Sequence, residues 1–202
     1  MENKYNKLKE NKLIETSDIQ ERVILVGVSL GDLASTEDSL DELEQLADTA
    51  GAVTVGKLVQ NPDRINPATY IGKGKLDELK LAIFELDATG VICDDELSPA
   101  QLKNLENELE IKVMDRTLLI LDIFAQRAST SEGKIQVELA QLKYLSARLA
   151  GMRASLSRLG GGIGTRGPGE KKIDIDKRII HNRIGILKAQ LQEIKKHREI
   201  TR

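Results

Sequence analysis

A change in the spacing of apolar residues near position 131 constrains the fold more than any other feature of the sequence. Before it, short apolar runs alternate with stretches of helical period; after it, only the helical period persists. From Ser131 onward, Ile135, Leu139, Leu142, Leu145, Leu149, Met152, Leu156 and Leu159 fall mostly three or four apart, the near-heptad stripe of a helix lying along a partner. Gly151 interrupts it at a cost of ~1 kcal/mol, tolerable in so long a helix. After a glycine-rich break the stripe resumes at Ile180, Ile184, Leu187, Leu191 and Ile194. Two such helices joined by a short link predict an antiparallel, coiled-coil-like hairpin over 128–202. About 28 residues per arm give a rod ~42 Å long at 1.5 Å per residue. A rod of that kind has little core of its own and reads as a device for reach.

Upstream, the order is strand, helix, strand, helix. Arg22–Val28 (RVILVGV) is a continuous apolar run, typical of a buried parallel strand. Ser35-Thr36-Glu37-Asp38 supplies capping and early acidic residues for a helix striped by Leu40, Leu43, Leu46 and Ala47, with Gly51 just past its end. Ala52–Val59 reads as a second strand, and Asn61–Tyr70, with Pro62 and Pro67, as a loop. A helix over Leu76–Asp87 carries Leu76, Leu79, Ile83 and Leu86 on one side, and Gly90–Cys93 is a third strand. Ser98-Pro99-Ala100-Gln101 is a capping box with proline at the first helical position, opening a helix to about Glu110. Ile111–Met114 is a fourth strand, and Thr117–Arg127 a helix leading out. This βαβαβαβ order predicts an α/β domain with a parallel sheet over 22–127. The lysine-rich residues 1–21 read as a flexible tail.

With 40% hydrophobic but only 2% aromatic residues, the core must be aliphatic, and base-stacking platforms are disfavoured. The single cysteine, Cys93, allows no internal disulfide or cysteine-based metal cluster; it reads as a buried small residue. No apolar run approaches a membrane span, and the polar start does not resemble a signal peptide. A soluble cytoplasmic protein is expected.

The net charge of −2 conceals a segregation. Residues 1–140 hold 15 Lys+Arg against 27 Asp+Glu, a net of −12; residues 141–202 hold 15 against 5, a net of +10. An acidic body with a basic extension points to a polyanionic partner, or else to a solvated basic helical face. The link between the arms favours the first, against a flexible turn with incidental charge. Six of the twelve residues Leu159–Glu170 are glycine, more than a helix–helix turn requires. Gly160, Gly161, Gly162, Gly164 and Gly167 let backbone approach a ligand closely and leave amides open to phosphate oxygens. Arg153, Arg158, Arg166, Lys171 and Lys172 place positive charge near the same end. A glycine-rich, arginine-bearing tip (160–170) on a basic stalk suits the RNA backbone.

Three nucleotide-site patterns fail on context. Gly162-x-Gly164-x-x-Gly167 follows a helix where a dinucleotide fingerprint needs a strand. Gly51-x-x-x-x-Gly56-Lys57 has Leu58 where a P-loop needs Ser or Thr for magnesium, and it lies within a strand. Asp87-Ala88-Thr89-Gly90 reads as a helix end. Gly72, Lys73, Gly74 and Lys75, before a helix, could form an anion or nucleotide site, or a loop with solvated lysines. Asp94-Asp95-Glu96 is expected to be an exposed acidic loop. His181 and His197 lie 16 residues apart on a helix and read as surface or helix-contact residues rather than catalytic ones. No residue is assigned a catalytic or metal-binding role.

Lys134–Tyr144 (KIQVELAQLKY), Leu156-Ser157-Arg158-Leu159 and the string from Gly160 to Glu170 (GGGIGTRGPGE) resemble the middle region of the HflX family of GTPases. Tyr70–Leu76 (YIGKGKL) resembles that family's amino-terminal α/β domain. The similarity covers roughly residues 22–202; Lys171 departs from it, standing where a small polar residue is expected. The resemblance implies a ribosome-associated protein that binds the large subunit and its rRNA, splits stalled or idle ribosomes under stress, and drives its hairpin tip towards the peptidyl-transferase centre. It implies that GTP and magnesium belong to a separate domain after the hairpin, so this chain is read as an RNA-binding module and not itself an enzyme, with no cofactor of its own. DNA is not an expected partner. An ATP-binding α/β module using Gly72–Lys75, or a coiled-coil protein-docking arm, are the alternatives.

Overall fold

A computed structural model describes residues 20–159 and 168–200, with side chains over 20–149 and 177–198. Four strands, β1 (Arg22–Val28), β2 (Val53–Gln60), β3 (Gly90–Cys93) and β4 (Lys112–Asp115), form an all-parallel sheet in the order β2-β1-β3-β4. Helices α1 (Leu33–Thr49), α2 (Lys73–Glu85), α3 (Pro99–Leu109) and α4 (Arg116–Arg127) cover it. Alternate residues of β1 go to opposite faces. Ile24, Val26 and Val28 pack with Leu76 and Leu79 of α2 and Leu105 of α3; Val23 and Leu25 pack with Leu40 and Leu43 of α1 and Leu119 and Ile123 of α4. Both faces being covered explains the unbroken apolar run of β1.

The expected elements are present, with shifted starts. Asp32, not Ser35, caps α1, its carboxylate accepting the Ser35 N–H at 3.0 Å. Both residue types cap well, so the sequence did not rank them. Helix α2 opens at Lys73, one turn before Leu76, because its first turn carries no buried side chain to reveal the period. The capping box of α3 forms as expected, Ser98 and Gln101 each satisfying the other's backbone N–H.

Helix α5 (Ser131–Leu159) is capped by Thr130, whose hydroxyl accepts the Gly133 N–H at 3.0 Å. Helix α6 (Pro168–Ile200) begins with its proline, so Pro168–Glu170, expected in the tip, are helical. The two helices run antiparallel over the described side chains: Glu132 pairs with Arg198, Glu138 with Arg183, and Ile135 shares a groove with Ile194. Leu139 and Leu187 are buried in the seam. The hairpin is not free-standing, because α5 also packs on α3 and α4.

Candidate functional site

Each side of β4's end anchors one part of the molecule. Asp115, the last residue of β4, is fully buried. One carboxylate oxygen caps α4 by accepting the Leu118 N–H at 2.9 Å; the other accepts the Leu97 N–H at 3.1 Å from the β3–α3 connection. That second oxygen also accepts from Tyr144 and Arg148 of α5. Tyr144 and Arg148 lie one helical turn apart, so both reach the same carboxylate. The Arg148 guanidinium stacks over the Tyr144 ring at 4.2 Å and extends a further hydrogen bond to the Leu97 carbonyl. Burial, then the bond to Asp115, pushes the Tyr144 phenol above its ordinary range. Next in sequence, Arg116 turns towards α1, donating to Asp94 at 2.6 Å and to the Ser39 carbonyl at 2.7 Å.

This hub fixes where the hairpin points. Helix α5 passes the carboxyl edge of the sheet at Arg148 and continues eleven residues to Leu159, ~16 Å at 1.5 Å per residue. Antiparallel pairing puts Arg153 and Arg158, late in α5, at the same end as Lys171 and Lys172, early in α6. Their side chains, and the whole of Gly160, Gly161, Gly162, Gly164, Arg166 and Gly167, lie outside the described residues.

Other sequence candidates have local roles. Gly72 is the cap residue of α2, and its N–H donates to the Gln60 side chain at 2.8 Å. Lys73, Gly74 and Lys75 form the first helical turn, where Lys75 pairs with Glu78 at 2.8 Å. One backbone donor and one lysine of the supposed anion cradle are therefore already engaged. Asp94 is not exposed as expected: its side chain is 12% exposed and paired with Arg116. Asp95 accepts the Tyr70 hydroxyl at 2.6 Å. Cys93 is buried, and burial pushes its thiol up. Lys57 bridges Asp41 and Glu44 from within β2. His181 hydrogen-bonds the Lys177 carbonyl at 2.8 Å. Among the described residues no His, Cys, Asp and Glu cluster could hold a metal ion, and no helix is long and apolar enough to cross a membrane.

Sequence reasoning missed Asp115, Tyr144 and Arg148 as a set. The available signal was weak: a tyrosine and an arginine four apart in an aliphatic stripe, and an aspartate ending a strand.

Two family models match in succession, the GTP-binding GTPase N-terminal region over residues 37–125 and the GTP-binding GTPase middle region over 127–202. The GTPase HflX of Lacrimispora saccharolytica is 68% identical over 191 residues, covering 95% of this chain and 45% of that protein. The chain belongs to the HflX family. The GTPase HflX of Escherichia coli K12 is 42% identical over 187 residues, covering 93% of this HflX chain and 44% of its own length. The chain thus spans under half the length of these relatives. The crystal structure of an SsGBP and GDP complex superposes with a TM-score of 0.65 at 24% identity, over 88% of this chain and 45% of that one, which shows a shared fold.

Proposed function

We propose that this chain is the ribosome-contacting part of an HflX-type GTPase, binding rRNA of the large subunit through the far end of its hairpin. The observation that carries the reading is the anchored antiparallel hairpin. It brings two basic stretches, from late α5 and early α6, to one end and holds that end well past the α/β domain. The segregation of charge, −12 before residue 141 and +10 after it, supports a polyanion as its target. In the whole protein, GTP and magnesium would bind the part beyond the matched N-terminal and middle regions, and hydrolysis would accompany ribosome splitting in the cytoplasm.

Cosedimentation of the chain with large subunits over a salt series tests the reading. Binding should fall steeply as salt rises and should vanish when 160–167 is replaced by a short Gly-Ser turn that leaves the helices folded. Unchanged binding by that variant would rule out the tip. Binding of GTP by the chain alone would contradict the assignment, and saturable ATP binding would favour the α/β nucleotide module.

A further inference from the structure

The cations of α6 divide into two sets. Arg183 and Arg198 are engaged within the hairpin, on Glu138 and Glu132 of α5. Arg178, Lys188, Lys195 and Lys196 are exposed and make no ion pair among the described residues. On the side of α6 opposite the buried Leu187, Arg178, Asn182, Gly185, Ala189, Gln192 and Lys196 alternate four and three apart, which sets them in one line along the helix. Every member of the line is exposed, with Lys188 and Lys195 beside it. Glu193, the one acid of α6 whose side chain is described, instead lines the groove with Ile135 and Ile194. Helix α6 packs chiefly on α5, so this line looks away from the rest of the hairpin.

We infer that the outer line of α6 is a second RNA-binding surface, whose partner is the sugar–phosphate backbone of double-helical RNA. The inference rests on the reading that the hairpin binds rRNA, and it adds a contact on the flank, apart from the tip. The line holds no apolar side chain larger than alanine, so it does not suit a partner helix, whose seam needs an apolar stripe. Nor has it an aromatic ring on which an unpaired base could stack. It offers cations and two amides spread over ~27 Å at 1.5 Å per residue. Such groups take phosphate oxygens and 2′-hydroxyls of a duplex without reading its sequence. Open space over Gly185 keeps the middle of the line low, so a continuous backbone can lie across it.

Fluorescence anisotropy at low salt, with a short RNA duplex of arbitrary sequence and the whole chain, tests this. The wild-type chain should bind. Lys188→Gln, Lys195→Gln and Lys196→Gln combined should weaken binding at least tenfold and lower the salt slope by about 2–3. Glutamine is a good helix former, so circular dichroism should be unchanged. Removing equal charge from the α/β domain, by Arg64→Gln, Lys103→Gln and Arg127→Gln combined, should alter binding less than twofold; an equal loss would overturn the surface. The Gly-Ser replacement of 160–167, which removes large-subunit binding, should leave duplex affinity within twofold, so tip and flank can fail separately. If that replacement abolishes duplex binding and the lysine variant keeps it, the flank is refuted while the tip stands. No duplex binding by the wild-type chain, or competition by polyglutamate as strong as by the duplex, would also overturn the inference.

Discussion

Arg148, in the middle of α5, donates to the carboxylate of Asp115 at the end of β4, joining residues 33 apart in sequence and fixing the hairpin to the sheet. Removing either partner should not be equivalent. Asp115 accepts from Leu97, Leu118, Tyr144 and Arg148. Asp115→Asn places an amide donor against several of those donors and leaves Arg148 buried and unpaired, a loss of about 3–5 kcal/mol. Arg148→Met leaves the carboxylate three donors, so its loss should be smaller. Urea denaturation of both variants checks the order; a larger loss for Arg148→Met would contradict it.

The order of elements was readable because each element obeys one rule on its own residues: a buried run for β1, the box Ser98–Gln101 for α3, the 3–4 spacing for α5. The hub was not readable, because Asp115, Tyr144 and Arg148 meet only once β4, α4 and α5 are packed. Local spacing carries no information about such a meeting. The start of α2 was misplaced for a related reason, since exposed first-turn residues leave no apolar mark. For the tip, the glycine and arginine composition remains the argument.

Two glycines should respond to alanine in opposite directions. Gly51 follows α1 with φ +88° and open space around its would-be Cβ, so only the backbone conformation resists a side chain. Gly51→Ala should destabilise by roughly 1 kcal/mol. Gly185 lies inside α6, also with open space, and Gly185→Ala should stabilise by ~0.5–1 kcal/mol. Thermal unfolding followed by circular dichroism measures both, and equal signs would refute the conformational reading.

Gln101 does two jobs from an 8% exposed position. Its side-chain oxygen accepts the Ser98 N–H at 2.9 Å, and its amide donates to the Asn66 carbonyl at 2.8 Å. Gln101→Ala should therefore cost about 1–3 kcal/mol, orphaning the Ser98 N–H and removing one of two bonds to the Asn66 carbonyl, which still accepts the Tyr70 N–H. Ser98→Ala, losing only the cap, should cost ~1 kcal/mol. Hydrogen exchange should separate them: Gln101→Ala loosens the 61–70 loop as well as α3, whereas Ser98→Ala loosens α3 alone.

Alkaline pH should weaken the α/β domain through two buried groups. Burial pushes the Cys93 thiol and the Tyr70 phenol above their ordinary ranges, Tyr70 further through its bond to Asp95. In the unfolded chain these groups ionise near pH 8.5 and 10, while the folded chain keeps both protons. Above those values the native state binds more protons than the unfolded one, so stability falls as pH rises, by up to about 1.4 kcal/mol per pH unit for each retained proton. Below pH 8 both states are protonated at these sites and the contribution is constant. Urea midpoints at pH 8, 9, 10 and 11 should decline progressively, and Cys93→Ala should remove the part of the decline that begins near pH 8.5. A flat profile for the wild-type chain would mean that these protons are not held by the fold.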